Sequence, residues 1–70
     1  MEIRRQVGVN IRRLREARGL SQEALAFEAE LHRTYISGVE RGVRNPTVTV
    51  LAKIAQALKV SPDQLLRPAR

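Results

Sequence analysis

The chain has 70 residues and a formal net charge of +6, from 13 Lys and Arg against 7 Asp and Glu. A chain of this length buries only about 60% of the surface that it exposes when unfolded, which leaves one modest core and no room for a deep enzyme cleft. It has no cysteine, which excludes disulfides, thiol nucleophiles and cysteine-ligated zinc, and no apolar run approaches the ~20 residues of a membrane span.

Arginine carries most of the positive charge and accounts for 11 of the 13 basic residues. Its planar guanidinium suits phosphates and base edges better than the ammonium of lysine does. An excess of this size favours a polyanionic partner, with nucleic acid first and an anionic membrane surface second. Because 43% of the residues are hydrophobic, the chain is too apolar for a disordered basic tail. We therefore predict a soluble, folded, basic binding module.

The first predicted element is an amphipathic helix that ends at Gly19. Its apolar stripe, at steps of three and four residues, consists of Ile3, Val7, Ile11 and Leu14. Gly8 interrupts this pattern at a cost of about 1 kcal/mol relative to alanine, so we expect the first turns to be loose. The opposite face carries the basic residues Arg4, Arg5, Arg12 and Arg13. Such a face could lie on a membrane in isolation, but the core needs the apolar stripe.

Two shorter helices follow. Ser21 is a good N-cap for the second helix, which ends near Glu30. A third helix begins after a turn of about three residues, with Ile36 and Val39 on its buried side, and ends at Gly42.

The last part of the chain predicts two more helices. Thr47 caps a fourth helix. Ser61 as a cap, Pro62 at the first helical position and Gln64 closing a capping box predict a fifth. We therefore predict an all-α fold of five short helices, in one domain of residues 1–70 with a core of about residues 7–66.

Two short helices joined by a tight turn in a basic chain predict a helix-turn-helix formed by helices 2 and 3. In this motif the first helix lies across the phosphate backbone. The second presents its N-terminal residues to the major groove, where all four base pairs are distinguishable. The recognition helix covers about residues 33–41. Because Ile36 points inward, its outer face consists of Arg33, Thr34, Tyr35 and Ser37.

These segments resemble the lambda-repressor-like helix-turn-helix family, also called the xenobiotic-response-element family. Residues 11–15 (IRRLR) and 19–26 (GLSQEALA) are similar to its opening, and residues 35–42 (YISGVERG) with 44–47 (RNPT) to its recognition helix and following loop. The similarity runs from about Val7 to Leu66. Residues 32–37 (HRTYIS) are also similar to small controller proteins of restriction–modification systems. Glu30 departs from the family, which usually has glycine in the turn, so either the turn differs or strain of about 1–2 kcal/mol is borne.

The outer face of the recognition helix supplies the candidate base contacts. Arg33 can donate two hydrogen bonds to guanine O6 and N7, a contact worth about 1–3 kcal/mol of discrimination, although a solvated arginine is the alternative. Thr34 is a candidate for a thymine methyl or a base edge, Tyr35 for a phosphate or sugar, and Ser37 for a similar contact, each against a purely structural role. His32 is placed at the start of the helix, near the DNA backbone.

The resemblance implies further contacts. Gln22 matches the position of a phosphate anchor at the start of helix 2, where backbone N–H groups also favour an anion. The resemblance places Arg41, Arg44 and Asn45 in a loop that contacts the DNA backbone or minor groove, although solvated charge is the competing interpretation. Arg15 and Glu40 occupy positions where the family forms an ion pair between the first and third helices.

The predicted function is sequence-specific binding of double-stranded DNA by a small bacterial or phage transcription regulator in the cytoplasm. A homodimer on an inverted-repeat operator is expected, because one recognition helix reads too few base pairs. The candidates for its interface are Val43, Val48, Val50, Val60 and the end of helix 5. No nucleophile–base pair, carboxylate dyad or phosphate-binding glycine loop indicates an enzyme, and a single histidine indicates no metal or cofactor. The alternative is an antitoxin or adaptor that uses this fold to bind a protein.

Overall fold

Residues 2–68, which the computed structural model describes, form four α-helices and one short 3-10 helix, with no strand among them. The helices are α1 (Ile3–Ala17), α2 (Gln22–Ala29), α3 (Arg33–Glu40) and α4 (Val48–Leu58), followed by the 3-10 helix Pro62–Leu65. The predicted all-α class is confirmed. No helix of the described residues is long and apolar enough to cross a membrane.

The prediction of a fifth α-helix is wrong, because the last helical segment is a four-residue 3-10 helix. Its backbone bonds run from Gln64 N to Ser61 O at 3.0 Å and from Leu66 N to Asp63 O at 3.0 Å, the three-residue spacing of a 3-10 helix. The predicted capping box is also wrong. The Ser61 side chain caps no backbone N–H. The nearby Ser61 hydroxyl lowers the pKa of the Asp63 carboxyl group, and Arg67 Nη2, 3.1 Å from Oδ2, lowers it further.

The predicted N-caps of the two helices that flank α3 are confirmed. Ser21 Oγ accepts a hydrogen bond from Ala24 N at 2.9 Å, and Thr47 Oγ1 accepts one from Val50 N at 3.2 Å. Each bond satisfies one of the backbone donors that a helix N-terminus leaves without a partner. His32 stands at the N-cap of α3 but makes no side-chain capping bond.

One cluster of buried apolar side chains lies where the helices meet. α3 packs against α1 and α2, and α4 packs against α2 and the 3-10 helix. The cluster consists of Val7, Ile11, Leu25, Ala26, Ala29, Ile36, Val39, Ile54, Ala55, Ala57, Leu58 and Leu65. Because α3 is buried along one side only, its opposite side is presented to solvent.

Gly8 lies where α1 meets the C-terminal end of α3. The helix is regular from Ile3 onward, so the loose first turns predicted from Gly8 are not found. A Cβ on Gly8 would overlap Glu40 O and would lie 2.5 Å from Val39 O. Glycine is therefore required here by the close approach of two backbones.

Asn10 joins α1 to the end of the chain, a connection that the sequence did not indicate. Its side chain is fully buried, and Nδ2 donates hydrogen bonds to Leu65 O at 3.0 Å and to Arg67 O at 2.7 Å. Gln6 Nε2 adds a bond to Leu66 O at 2.7 Å. Three successive carbonyls are thus held against one face of α1.

Glu30 adopts the left-handed conformation that the sequence left open, with φ 59° and ψ 42°. The turn therefore keeps the glycine-type geometry and bears the strain. Leu31 N donates to Ala26 O at 2.8 Å, which closes the end of α2. Lys59 ends α4 in the same way, with φ 61°. Two non-glycine residues thus occupy a backbone region that costs roughly 1–2 kcal/mol each.

Candidate nucleic-acid interface

The connection between α2 and α3 is three residues long, 30–32, as the sequence predicted. The buried side of α3 consists of Ile36, Gly38 and Val39, which pack on the core. The opposite side begins with His32, Arg33 and Thr34, all exposed, and continues with the half-buried Tyr35 and Ser37. The five candidate residues of this helix therefore lie on or beside one solvent-facing surface.

Arg33 stands between two cavities of this surface. One, of about 160 Å³, is lined by Arg33, Thr34 and Ser37. The other, of about 370 Å³, lies at the N-terminus of α2 and is lined by Arg15, Ser21, Gln22, Glu23 and Arg33. Within residues 2–68 the Arg33 guanidinium forms no ion pair. Its five donors are therefore available to a ligand.

The N-terminus of α2 faces the larger cavity with Gln22 as its first residue. The capping hydroxyl of Ser21 uses the Ala24 N–H, while the earlier N–H groups of a helix have no intrahelical partner. Such a terminus favours an anion, since its N–H groups and the helix dipole both point at it. An anion such as a phosphate oxygen is therefore the kind of ligand that this terminus favours.

Arg15 and Glu40 form the ion pair that was expected between the first and third helices. Arg15 Nε donates to Glu40 Oε2 at 2.7 Å and Nη2 donates to Oε1 at 3.1 Å. The Glu40 side chain is 3% exposed and that of Arg15 is 11% exposed. The hydrogen bonds to Glu40 raise the pKa of Arg15 above its usual value.

The ion pair also holds α2, which the sequence did not predict. Gln22 Nε2 donates to Glu40 Oε1 at 3.1 Å, and Arg15 Nη1 donates to Leu20 O at 2.8 Å. One carboxylate therefore connects α1, α2 and α3 directly behind the solvent-facing side of α3. Since an amide nitrogen has two hydrogens, Gln22 keeps one donor for a second acceptor.

The loop after α3 contains Arg41, Arg44 and Asn45, all exposed. The Arg44 guanidinium carbon lies 5.9 Å from the centroid of the Tyr35 ring, within the range of a cation–π contact. A Cβ on Gly38 would lie 2.5 Å from Arg44 Cγ. The side chain of Arg44 occupies the space beside Gly38, which brings the loop into contact with α3.

Arg41 is separated from the other loop candidates. It follows the C-terminal end of α3 and lines a groove against α1, together with Arg5, Arg12 and Arg13. The family resemblance placed Arg41 with Arg44 and Asn45 in one loop that contacts DNA. The basic residues of α1 were assigned no DNA contact, although their spacing places them on one face.

This geometry defines a helix-turn-helix domain with a braced recognition helix and an exposed, positively charged outer face. A family model described as helix-turn-helix (HTH_3) matches residues 11–65, and the chain belongs to this family. It is a DNA-binding transcription regulator of the xenobiotic-response-element type, as the residue pattern predicted.

The relatives include controller proteins. The chain is 49% identical over 65 residues to the control protein C.BamHI of Bacillus amyloliquefaciens, a match that covers 91% of this chain and 80% of that protein. It is 47% identical to the restriction-modification controller protein C.AhdI from Aeromonas hydrophila, with a TM-score of 0.87 and coverage of 89% and 94%.

A third relative has been solved with DNA. The controller protein C.Esp1396I, as a tetramer in complex with its natural 35 base-pair operator, is 35% identical, with a TM-score of 0.82 and coverage of 96% of this chain and 99% of that chain. The narrower resemblance to controller proteins of restriction–modification systems is therefore confirmed.

Proposed function

We propose that this chain binds an inverted-repeat operator as a homodimer, with α3 in the major groove and Arg33 reading a base edge. One observation carries the proposal. The exposed guanidinium of Arg33 forms no ion pair within the described residues, at the N-terminal end of a helix whose other side is fixed by Glu40, Arg15 and Gln22. A rigid support lowers the entropy that is lost when a side chain is ordered against DNA.

The backbone contacts are proposed for residues around this helix. Gln22 and the N-terminus of α2 bind one phosphate, and His32 lies beside it at the start of α3. Arg44 and Asn45 contact the backbone or the minor groove beyond the other end of the helix. These contacts set orientation and register, whereas Arg33, Thr34, Tyr35 and Ser37 carry the sequence preference.

A dimer is proposed because a single α3 reads too few base pairs to select one site. Two half-sites about 34 Å apart would place both recognition helices on one face of the duplex. Of the predicted interface residues, Val48 is 83% exposed, Val43 60% and Leu66 46%, while Val50 and Val60 are half-buried. Operator binding as a tetramer by C.Esp1396I supports an oligomeric assembly.

The biological setting proposed is control of a restriction–modification system in the bacterial cytoplasm, without catalysis or a cofactor. The similarity to C.BamHI and C.AhdI over most of both chains supports it. A methyltransferase or endonuclease gene next to that of this protein is the expected observation. A small toxin gene in its place would favour the antitoxin function.

The direct test is to mix the purified protein with sheared genomic DNA, recover the bound fragments at about 150 mM salt, near physiological ionic strength, and sequence them. We expect an inverted repeat that Arg33→Ala no longer selects, while its affinity for bulk DNA stays close to that of the wild type. Arg4→Ala is the matched control, since Arg4 is exposed on α1, is paired with Glu2 and lines neither of the two cavities beside Arg33. If no motif emerges and binding only fades with salt, the operator proposal is wrong.

A further inference from the structure

A second basic surface lies between α1 and the C-terminal end of α3. It is a groove of about 500 Å³ whose walls include Arg5, Arg12 and Arg13 from α1 and Arg41 from the end of α3. We call it the α1–α3 groove. None of its α1 residues belongs to the recognition helix, the α2 terminus or the loop used above.

The α1 residues share the groove because of their spacing. Counted from Arg5, residues 9, 12, 13 and 16 lie four, seven, eight and eleven positions further on, which places them on one face of a helix. Arg5 is also fixed by the turn after α3, since a Cβ on Gly42 would lie 2.7 Å from Arg5 Cγ. The packing of α1 against the end of α3 therefore determines the shape of the groove as well as the position of α3.

The charge of the groove is strongly unbalanced. Its two acidic residues are already engaged, because Glu40 is paired with the buried Arg15 and Glu16 Oε2 lies 3.3 Å from Arg12 Nε. Over residues 2–68 the remaining arginines, Arg5, Arg13 and Arg41, form no ion pair. Three like charges around one groove repel each other, and an anion bound between them removes that repulsion.

The groove is connected to the DNA-binding surface through Glu40. This residue forms part of the groove wall, and the side chains that it bonds, Arg15 and Gln22, line the cavity at the N-terminus of α2. Arg41 extends the connection, because it leads directly into the loop that carries Arg44. The groove therefore adjoins the proposed phosphate contact at the N-terminus of α2.

We propose that the α1–α3 groove is a second phosphate-binding site, and that phosphates of the duplex just outside each half-site occupy it. The planar guanidinium groups match the geometry of phosphate oxygens and bind them through charge-assisted hydrogen bonds. The choice of DNA as the source of phosphate rests on the operator binding proposed above. A free polyphosphate would offer the same chemistry, so the experiment has two arms.

The first arm uses inorganic tripolyphosphate alone, followed by ¹H–¹⁵N NMR of the intact chain. We expect saturable shifts of the Val9 and Arg13 amides that weaken in Arg13→Gln. Arg4→Gln is the matched control on the same helix, since Arg4 is paired with Glu2 and does not line the groove. Unchanged shifts in Arg13→Gln, or none in the wild type, would overturn the site without reference to any operator.

The second arm compares the operator recovered from genomic DNA in two lengths, one trimmed to the half-sites and one extended by about ten base pairs, one helical turn, at each end. On the extended duplex, Arg13→Gln should weaken binding about threefold and reduce the slope of log K against log salt by about one. On the trimmed duplex, Arg13→Gln should bind with the same affinity and the same salt dependence as the wild type. Glu16→Gln removes a negative charge from the groove and should strengthen binding to the extended duplex alone.

The outcomes separate the two proposals. If Arg33→Ala abolishes selection and Arg13→Gln acts equally on both lengths, or on neither, operator binding stands and the flanking-DNA site is wrong. If tripolyphosphate shifts the groove residues but duplex length has no effect, the phosphate does not come from flanking DNA. If the wild type itself selects no motif, the operator proposal fails. The tripolyphosphate experiment alone then decides whether the groove binds phosphate.

Discussion

Arg15 and Glu40 join α1 to α3 through two parallel hydrogen bonds, of 2.7 and 3.1 Å, behind the solvent-facing side of α3 that we propose contacts DNA. The carboxylate is nearly inaccessible to solvent and accepts a third bond from Gln22. The packing of the three helices and the support of the proposed recognition surface therefore depend on the same buried group, whereas the side chains proposed to read bases lie in front of it.

Glu40→Ala should lower the free energy of unfolding by about 3–5 kcal/mol, because it leaves the Arg15 guanidinium buried without its partner. Arg33→Ala should change it by less than about 0.5 kcal/mol, as is usual for an exposed side chain. Urea denaturation followed by circular dichroism measures both changes. Glu23→Ala is the matched control, because it also removes one carboxylate but at an exposed position. A loss below about 1 kcal/mol for Glu40→Ala would show that the pair contributes little to stability.

Gly8→Ala should destabilise the protein by about 1–3 kcal/mol, although alanine is the better helix former. The added Cβ would overlap Glu40 O, and two backbones must separate to admit it. Thermal unfolding gives the loss, and Arg4→Ala controls for a change at an exposed position of the same helix. An increase in stability would mean that α1 and α3 separate at little cost.

The helices and their caps could be predicted because the signals are local. Ser21 and Thr47 bond N–H groups three residues ahead, and glycine follows α1 and α3 within a few residues. The prediction for the final helical segment was wrong, and the reason is also local. Its serine, proline and glutamine have the sequence of a capping box, but Ser61 makes no capping bond and the four-residue segment is too short to form an α-helical ladder.

The connections between distant segments leave no such signal. Asn10 bonds carbonyls more than fifty residues away, and neither a period nor a motif marks it as a buried clamp. The pair Arg15–Glu40 was expected only because the whole pattern resembles a family, whereas its third partner, Gln22, was found in the structure. A glycine in the middle of an eight-residue recognition helix was the one local indication that Gly38 meets another chain segment.

Glu30→Gly should raise the free energy of unfolding by up to about 1.5 kcal/mol. Relief of the positive φ stabilises the folded chain by roughly 1–2 kcal/mol. The greater freedom of glycine stabilises the unfolded chain by about 0.5–1 kcal/mol, which offsets part of this gain. Lys59→Gly should act alike, since its φ is 61°. The control is Glu23→Gly in the first turn of α2, which should lose stability; a loss at Glu30 as well would mean that its side chain stabilises the turn by more than the strain costs.

Gly38→Ala should leave the fold intact but weaken operator binding on the order of tenfold, as expected for the loss of one charge-assisted contact of about 1.5 kcal/mol. The group that a Cβ would displace is the flexible side chain of Arg44, so the backbone need not move. Tyr35 is the only tyrosine in the chain, and its ring centroid lies 5.9 Å from the Arg44 guanidinium carbon, so its fluorescence reports whether the guanidinium moves away from the ring. If Gly38 acts through Arg44, the double variant with Arg44→Ala should bind no more weakly than Arg44→Ala alone, and additive losses would contradict that coupling.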